Sequence, residues 1–148
     1  MITDDLLRVS EDQVLTGLTD TSAVSTDKID LSLARDIGEG EGLYMTFAIT
    51  TAVTVGTSTK FEVVIADDAA LTTNVESVGD SGAILTADLT LGKLIAVPIR
   101  PKVGSLGRRY MGARYTVVGT NSTGKVTADI VHDIQDGKKF YASGFSVT

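Results

Sequence analysis

The sequence predicts an all-β chain: a two-sheet antiparallel sandwich. Three observations predict it. The longest apolar runs alternate apolar and polar residues, turn signals recur at intervals of about 8–15 residues, and no stretch has helical periodicity of useful length. The alternation is clearest in Leu43-Tyr-Met-Thr-Phe-Ala-Ile-Thr-Thr-Ala-Val53 and in Thr59-Lys-Phe-Glu-Val-Val-Ile-Ala66. Successive side chains of an extended chain point to opposite faces. Met45, Phe47 and Ile49 therefore share one face, as do Phe61, Val63 and Ile65, with Glu62 pointing outward. The segment between, Thr54 to Ser58, is short and rich in Gly, Ser and Thr, which predicts a hairpin loop joining two paired strands. One hairpin is unstable alone, so the rest of the chain must supply a second layer.

Each further element follows in order. Residues 1–12 read as an N-terminal arm or short helical turn docked by Leu6, Leu7 and Val9. Gln13 to Leu18 reads as a first strand, and Thr19 to Asp27 as a loop or weak edge strand. Ile29-Asp-Leu31 is short and alternating, and Ala34 to Gly42 is a glycine-rich connection. Asp67 to Asn74 is a helical turn or a reversal that carries Leu71 back over the sheet. Val75 to Val78 and Ala83 to Leu89 read as short strands flanking a turn at Gly79-Asp-Ser-Gly82. Lys93 to Arg100 is another strand. Pro98 and Pro101 cannot donate to a ladder, which places it at an edge. Arg108 to Val118 and Lys125 to Ile134 are the last long strands, joined by a loose hairpin turn at Gly119 to Gly124. Their inward sets are Met111, Ala113, Tyr115 and Val117, then Val126, Ala128, Ile130 and His132. Residues 136–148 form a C-terminal tail. The pattern fits a two-sheet sandwich, a jelly roll or a small barrel.

Composition narrows the function. The 148 residues suit a single domain spanning 1–148. The chain has no cysteine, which removes disulfides and thiolate metal sites. Its formal net charge is −6, against nucleic acid or an anionic membrane as partner. The acidic opening Met1-Ile-Thr-Asp-Asp5 lacks the basic region and apolar run of a secretory signal.

Motifs that could carry chemistry have simpler readings. Gly79-Asp-Ser-Gly82 matches the string around a serine-protease nucleophile, which needs a histidine base. The single histidine, His132, follows it rather than preceding it, and one imidazole cannot build a cupin-type metal centre. Gly38-Glu-Gly-Glu-Gly42 is too acidic for a phosphate cradle and leads into a strand. Asp4-Asp5, Glu39, Glu41 and Asp67-Asp68 lack the spacing of a calcium loop. Asn121-Ser-Thr123 is an N-glycosylation string, meaningful only in a secreted eukaryotic protein. The expectation is a chain with no enzyme activity, no cofactor and no metal.

Charge distribution points to a protein partner. Lys93, Arg100, Lys102, Arg108, Arg109 and Arg114 are six of the 13 cations and fall within 22 residues. Such a cluster can seat on an acidic protein surface. The tail adds Lys139, Phe140, Tyr141 and Phe145, of residue types partly favoured at interfaces. The candidate interface is therefore Arg100, Lys102, Arg108, Arg109 and Tyr110 with Lys139, Phe140, Tyr141 and Phe145. A second reading is a carbohydrate-binding module for host-surface adhesion, stacking sugars on Tyr44, Tyr110 or Tyr141.

The stretch Ser25 to Tyr44, with Asp36-Ile-Gly-Glu-Gly-Glu-Gly-Leu-Tyr44 at its end, resembles the jelly-roll capsid cement (decoration) proteins of tailed bacteriophages. So do Met1 to Leu7, Arg109-Tyr-Met-Gly-Ala-Arg-Tyr115, Thr127-Ala-Asp-Ile-Val131 and Tyr141-Ala-Ser-Gly-Phe145. The similarity runs end to end in matching order. It implies a jelly roll without catalytic residues, made in the bacterial host cytoplasm and bound to the outer surface of the virion capsid. It implies contact with the major capsid protein and self-association as a homodimer, or a trimer.

Overall fold

A computed structural model describes residues 5–31, 42–100 and 108–132. Among them are nine strands: β1 (Arg8–Val14), β2 (Ser22–Val24), β3 (Ile29–Asp30), β4 (Tyr44–Thr54), β5 (Ser58–Ala66), β6 (Glu76–Leu85), β7 (Leu94–Pro98), β8 (Tyr110–Val118) and β9 (Thr123–Val131). They form two antiparallel sheets, ordered β1-β9-β4-β7 and β2-β8-β5-β6, with β3 also on β8. Because β2 and β3 pair with successive parts of β8, they act as one interrupted edge strand.

The pairing describes a jelly roll. β1 pairs with β9, β2 and β3 with β8, β4 with β7, and β5 with β6. That is one long hairpin with its tip between β5 and β6. Rolling it brings β4 beside β9 and β5 beside β8, which closes two facing sheets.

Inward alternation builds one shared core. Met45, Phe47 and Ile49 of β4 face Phe61, Val63 and Ile65 of β5, and all are buried. Phe47, Phe61 and Tyr115 make an aromatic trio with centroids 5.2–6.0 Å apart and edge-to-face or tilted rings. Burying each apolar side chain of this size contributes roughly 1.5–3 kcal/mol. Val126, Ala128 and Ile130 complete the facing surface. A smaller apolar cluster of Val64, Ala66 and Leu71 lies on the outer face of β5, where the 67–75 reversal folds Leu71 back.

The predicted hairpin over 43–66 does not form. β4 and β5 stand in different sheets, and the segment 55–57 crosses between the layers. Alternation fixes which face a residue takes but not its lateral neighbour, and β9 and β8 supply the neighbours. The same holds at 119–122, where β8 and β9 also belong to different sheets.

The first strand runs over Arg8–Val14 rather than Gln13 to Leu18, and among the described residues a 3-10 turn at Asp5–Leu7 precedes it. Register shifts between Arg8 and Ser10 and between Ser10 and Gln13, the second containing Asp12 at φ 43°, break the period-two pattern. The two short strands around Gly79 to Gly82 are one strand, β6, carrying a bulge instead of a turn. There Ser81 Oγ accepts the Phe61 N–H at 3.1 Å, and Gly82 takes φ 67°. β7 is an edge strand ending at Pro98, as expected. His132 lies one residue beyond β9 and is exposed, so the inward placement fails with the end of the ladder. The tail at 136–148 lies outside the described residues.

Candidate protein interface

One end of the sandwich gathers the described part of the candidate interface. Register sets Tyr110 of β8 between Asp30 of β3 and Ala66 of β5, and Tyr44 between Pro98 and Val131. Arg108 and Arg109 lead into β8 at this end, and Arg100 follows β7. Lys102, Lys139, Phe140, Tyr141 and Phe145 lie outside the described residues.

Acidic neighbours hold these arginines in place. Arg108 donates to both oxygens of Asp67 at 3.0 Å and to Glu76 at 3.1 Å. Asp67 also accepts from Asn74 at 2.7 Å. The Asn74 bond and then Arg108 hold the Asp67 carboxyl below its ordinary range. Asp67 and Glu76 in turn raise Arg108. Arg109 forks onto Asp30 at 2.8 and 3.1 Å, and that pair raises its pKa. Its guanidinium lies 5.1 Å from the centroid of the Tyr110 ring, within cation–π range. Planar guanidinium suits both the carboxylate fork and the stack, as lysine would not.

The 67–75 reversal is rigidly pinned. Asp68 accepts the backbone N–H groups of Thr72 and Thr73 at 3.0 and 2.7 Å and the Thr72 hydroxyl at 2.7 Å. The Thr73 backbone bond, then the Thr72 hydroxyl, draw the Asp68 pKa down to about 2.

Toward the middle of the same outer face, Glu62 is buried although it points away from the core. Arg114 forks onto it at 2.9 and 3.2 Å, Lys60 stands at 3.0 Å, and Thr116 donates at 3.2 Å. Burial raises the Glu62 pKa, but the bonds from Arg114 and Lys60 outweigh it and leave the carboxyl below its usual value. Sequence reading missed this cluster. Its signal was available only in the register, which sets Glu62 opposite Arg114.

The described cations are therefore largely committed. Arg108, Arg109 and Arg114 each meet a carboxylate, whereas Lys93 and Arg100 are exposed and pair with none among the described residues. The surface is a band of paired charge, with Arg109 still about half exposed at 53%. Such a band offers orienting hydrogen bonds more than a net positive field.

Other motifs resolve into packing. A side chain at Gly79 would strike the Pro98 carbonyl at 2.4 Å, so this glycine lets β6 close against β7. The Asn121 side chain is buried, leaving the glycosylation string unpresented in the folded chain. Among the described residues no three His, Cys, Asp or Glu side chains gather as metal ligands. No helix among them is long and apolar enough to cross a membrane.

The Bbp16 family model matches residues 9–130, a span reaching from the second residue of β1 to the penultimate residue of β9. The chain is a member of the Bbp16 family. In this Bbp16 member the matched span takes in nearly the whole rolled hairpin. No curated protein matches the chain.

Proposed function

We propose that this Bbp16-family chain is a capsid cement protein of a tailed bacteriophage. It binds the outside of the assembled head, bridges neighbouring major capsid subunits and self-associates as a homodimer. The observation that carries the reading is the gathering of Arg100, Arg108, Arg109 and Tyr110 at one end of a jelly roll. The end-to-end resemblance to cement proteins supports it. A subunit that binds only the assembled lattice stabilises that lattice by mass action, and many modest contacts then resist internal pressure. The paired arginines serve this by presenting fixed donors whose geometry is set before docking.

Co-sedimentation with undecorated heads tests the reading. The chain should pellet with them and raise their disruption temperature. Arg109→Ala should weaken this binding by about tenfold. The chain's own stability should change by less than about 1 kcal/mol, since an exposed ion pair contributes little. Absence of co-sedimentation at every salt concentration would defeat it.

A further inference from the structure

An acidic protein surface and a neutral one could both seat on the arginines at the Tyr110 end of the sandwich, and the charges already in place separate the two. Lys60, Arg108, Arg109 and Arg114 meet Glu62, Asp67, Glu76 and Asp30. The band runs from the end of the sandwich onto the outer face of the β2-β8-β5-β6 sheet. Its four cations stand against four carboxylates, so the net charge of −6 is carried by other residues. Exposed Arg100 and half-buried Asp68 add one charge of each sign.

Arg109 is the informative side chain. Of the eight paired groups it alone is more than half exposed, at 53%. Asp30 takes its Nε–H and one N–H of Nη2. A guanidinium carries five N–H groups, so both on Nη1 and the second on Nη2 remain for a partner. The fork onto Asp30 and the Tyr110 ring, 5.1 Å away, fix the plane of the group. The directions of the remaining donors are therefore set as well. Donors held in place before docking lose little further entropy on binding.

Asp30 also decides what those donors fit. A partner carboxylate bound to Arg109 would stand close to the Asp30 carboxylate, and repulsion between the two offsets the attraction. The same holds at Arg108, where Asp67 and Glu76 both accept from the guanidinium. A backbone carbonyl accepts the same N–H without net charge and without that repulsion. Carbonyls lacking a partner are exposed at helix C-termini and along strand edges.

We infer that the shell surface seated here is neutral and presents unpaired backbone carbonyls, which accept from the remaining N–H groups of Arg109. The inference rests on the proposed shell binding and names the chemistry of its partner. It replaces the acidic surface that the clustering of cations in sequence suggests.

Co-sedimentation of the full chain with undecorated heads, from about 0.05 to about 0.5 M salt, tests it. Affinity should change by less than about threefold over that range, whereas a basic patch on an acidic surface would lose about tenfold or more. Asp30→Asn gives the sharpest result, because the two kinds of partner predict opposite signs. It raises the positive charge but loosens the fork, so binding to carbonyls should weaken while binding to an acidic surface would strengthen. Arg109→Lys keeps the charge and removes the planar donors, and should weaken binding by about fivefold or more. Far-ultraviolet spectra and unfolding midpoints confirm that each variant folds, and Arg109→Lys decides the matter alone if Asp30→Asn does not. Binding that collapses with salt, tighter binding by Asp30→Asn, or full binding by Arg109→Lys would overturn the inference and leave the shell reading standing. No binding by the parent chain at any salt would remove the shell reading and the inference with it.

Discussion

The Tyr115 hydroxyl lies 2.7 Å from the Ser10 hydroxyl, joining β8 of one sheet to β1 of the other through the core. Ser10 passes the bond on, donating to Gln13 Oε1 at 2.6 Å, and Gln13 Nε2 donates to the Val24 carbonyl at 2.8 Å. The relay closes the open side where β1 and β2 meet. Burial pushes the Tyr115 pKa well above its ordinary value, so the phenol stays protonated and donates.

Two substitutions should separate the members of this relay. Tyr115→Phe leaves Ser10 its Gln13 acceptor and should cost about 1 kcal/mol. Ser10→Ala strands a buried phenol donor and should cost more, about 1–3 kcal/mol. Urea unfolding of the two variants checks the order.

Acid should weaken the fold through Asp68 and Glu62. Both have folded pKa values below their unfolded ones, so their contribution is complete above the unfolded values of 3.8 and 4.5. It is lost as pH falls, for Asp68 on approaching about 2. Thermal unfolding midpoints should therefore drop through this acid range. Asp68→Asn should flatten part of the decline. Glu62→Gln should also lower stability at neutral pH, on the order of 2 kcal/mol, because Arg114 loses a charged partner.

Two glycines of one motif should behave differently. Gly79→Ala places a methyl group 2.4 Å from the Pro98 carbonyl, which forces β6 from β7 and should cost about 1–3 kcal/mol. Gly82→Ala meets no atom within 4 Å but must hold φ 67°, so its cost is backbone strain alone, about 1 kcal/mol. Chemical denaturation of both variants tests the ranking.

The inward faces of the fold were legible from alternation. Met45, Phe47 and Ile49, then Phe61, Val63 and Ile65, then Ala113, Tyr115 and Val117 all enter the core or its edge. Lateral neighbours were not legible, because a short loop such as 55–57 can either turn within a sheet or cross between two. Bulges hid β1 and split β6 on paper, since each inserts a residue and resets the period. For the interface, clustering of Arg108 and Arg109 in sequence held in space. Their pairing to Asp67 and Asp30 did not show, because those acids are 41 and 79 residues away. The outward direction of Glu62 was legible, but its burial beside Arg114 was not, because that partner lies 52 residues away.

The nested pairing also sets a tempo. Only the β5–β6 tip joins nearby residues, whereas Arg8 must find Asp129 across 121 positions. Such distant closures are entropically costly and reward the chain late, which places refolding in the slow millisecond-to-second regime. Until β1 arrives, β9 keeps an open ladder, and the nascent subunit is most vulnerable to wrong partners along that strand.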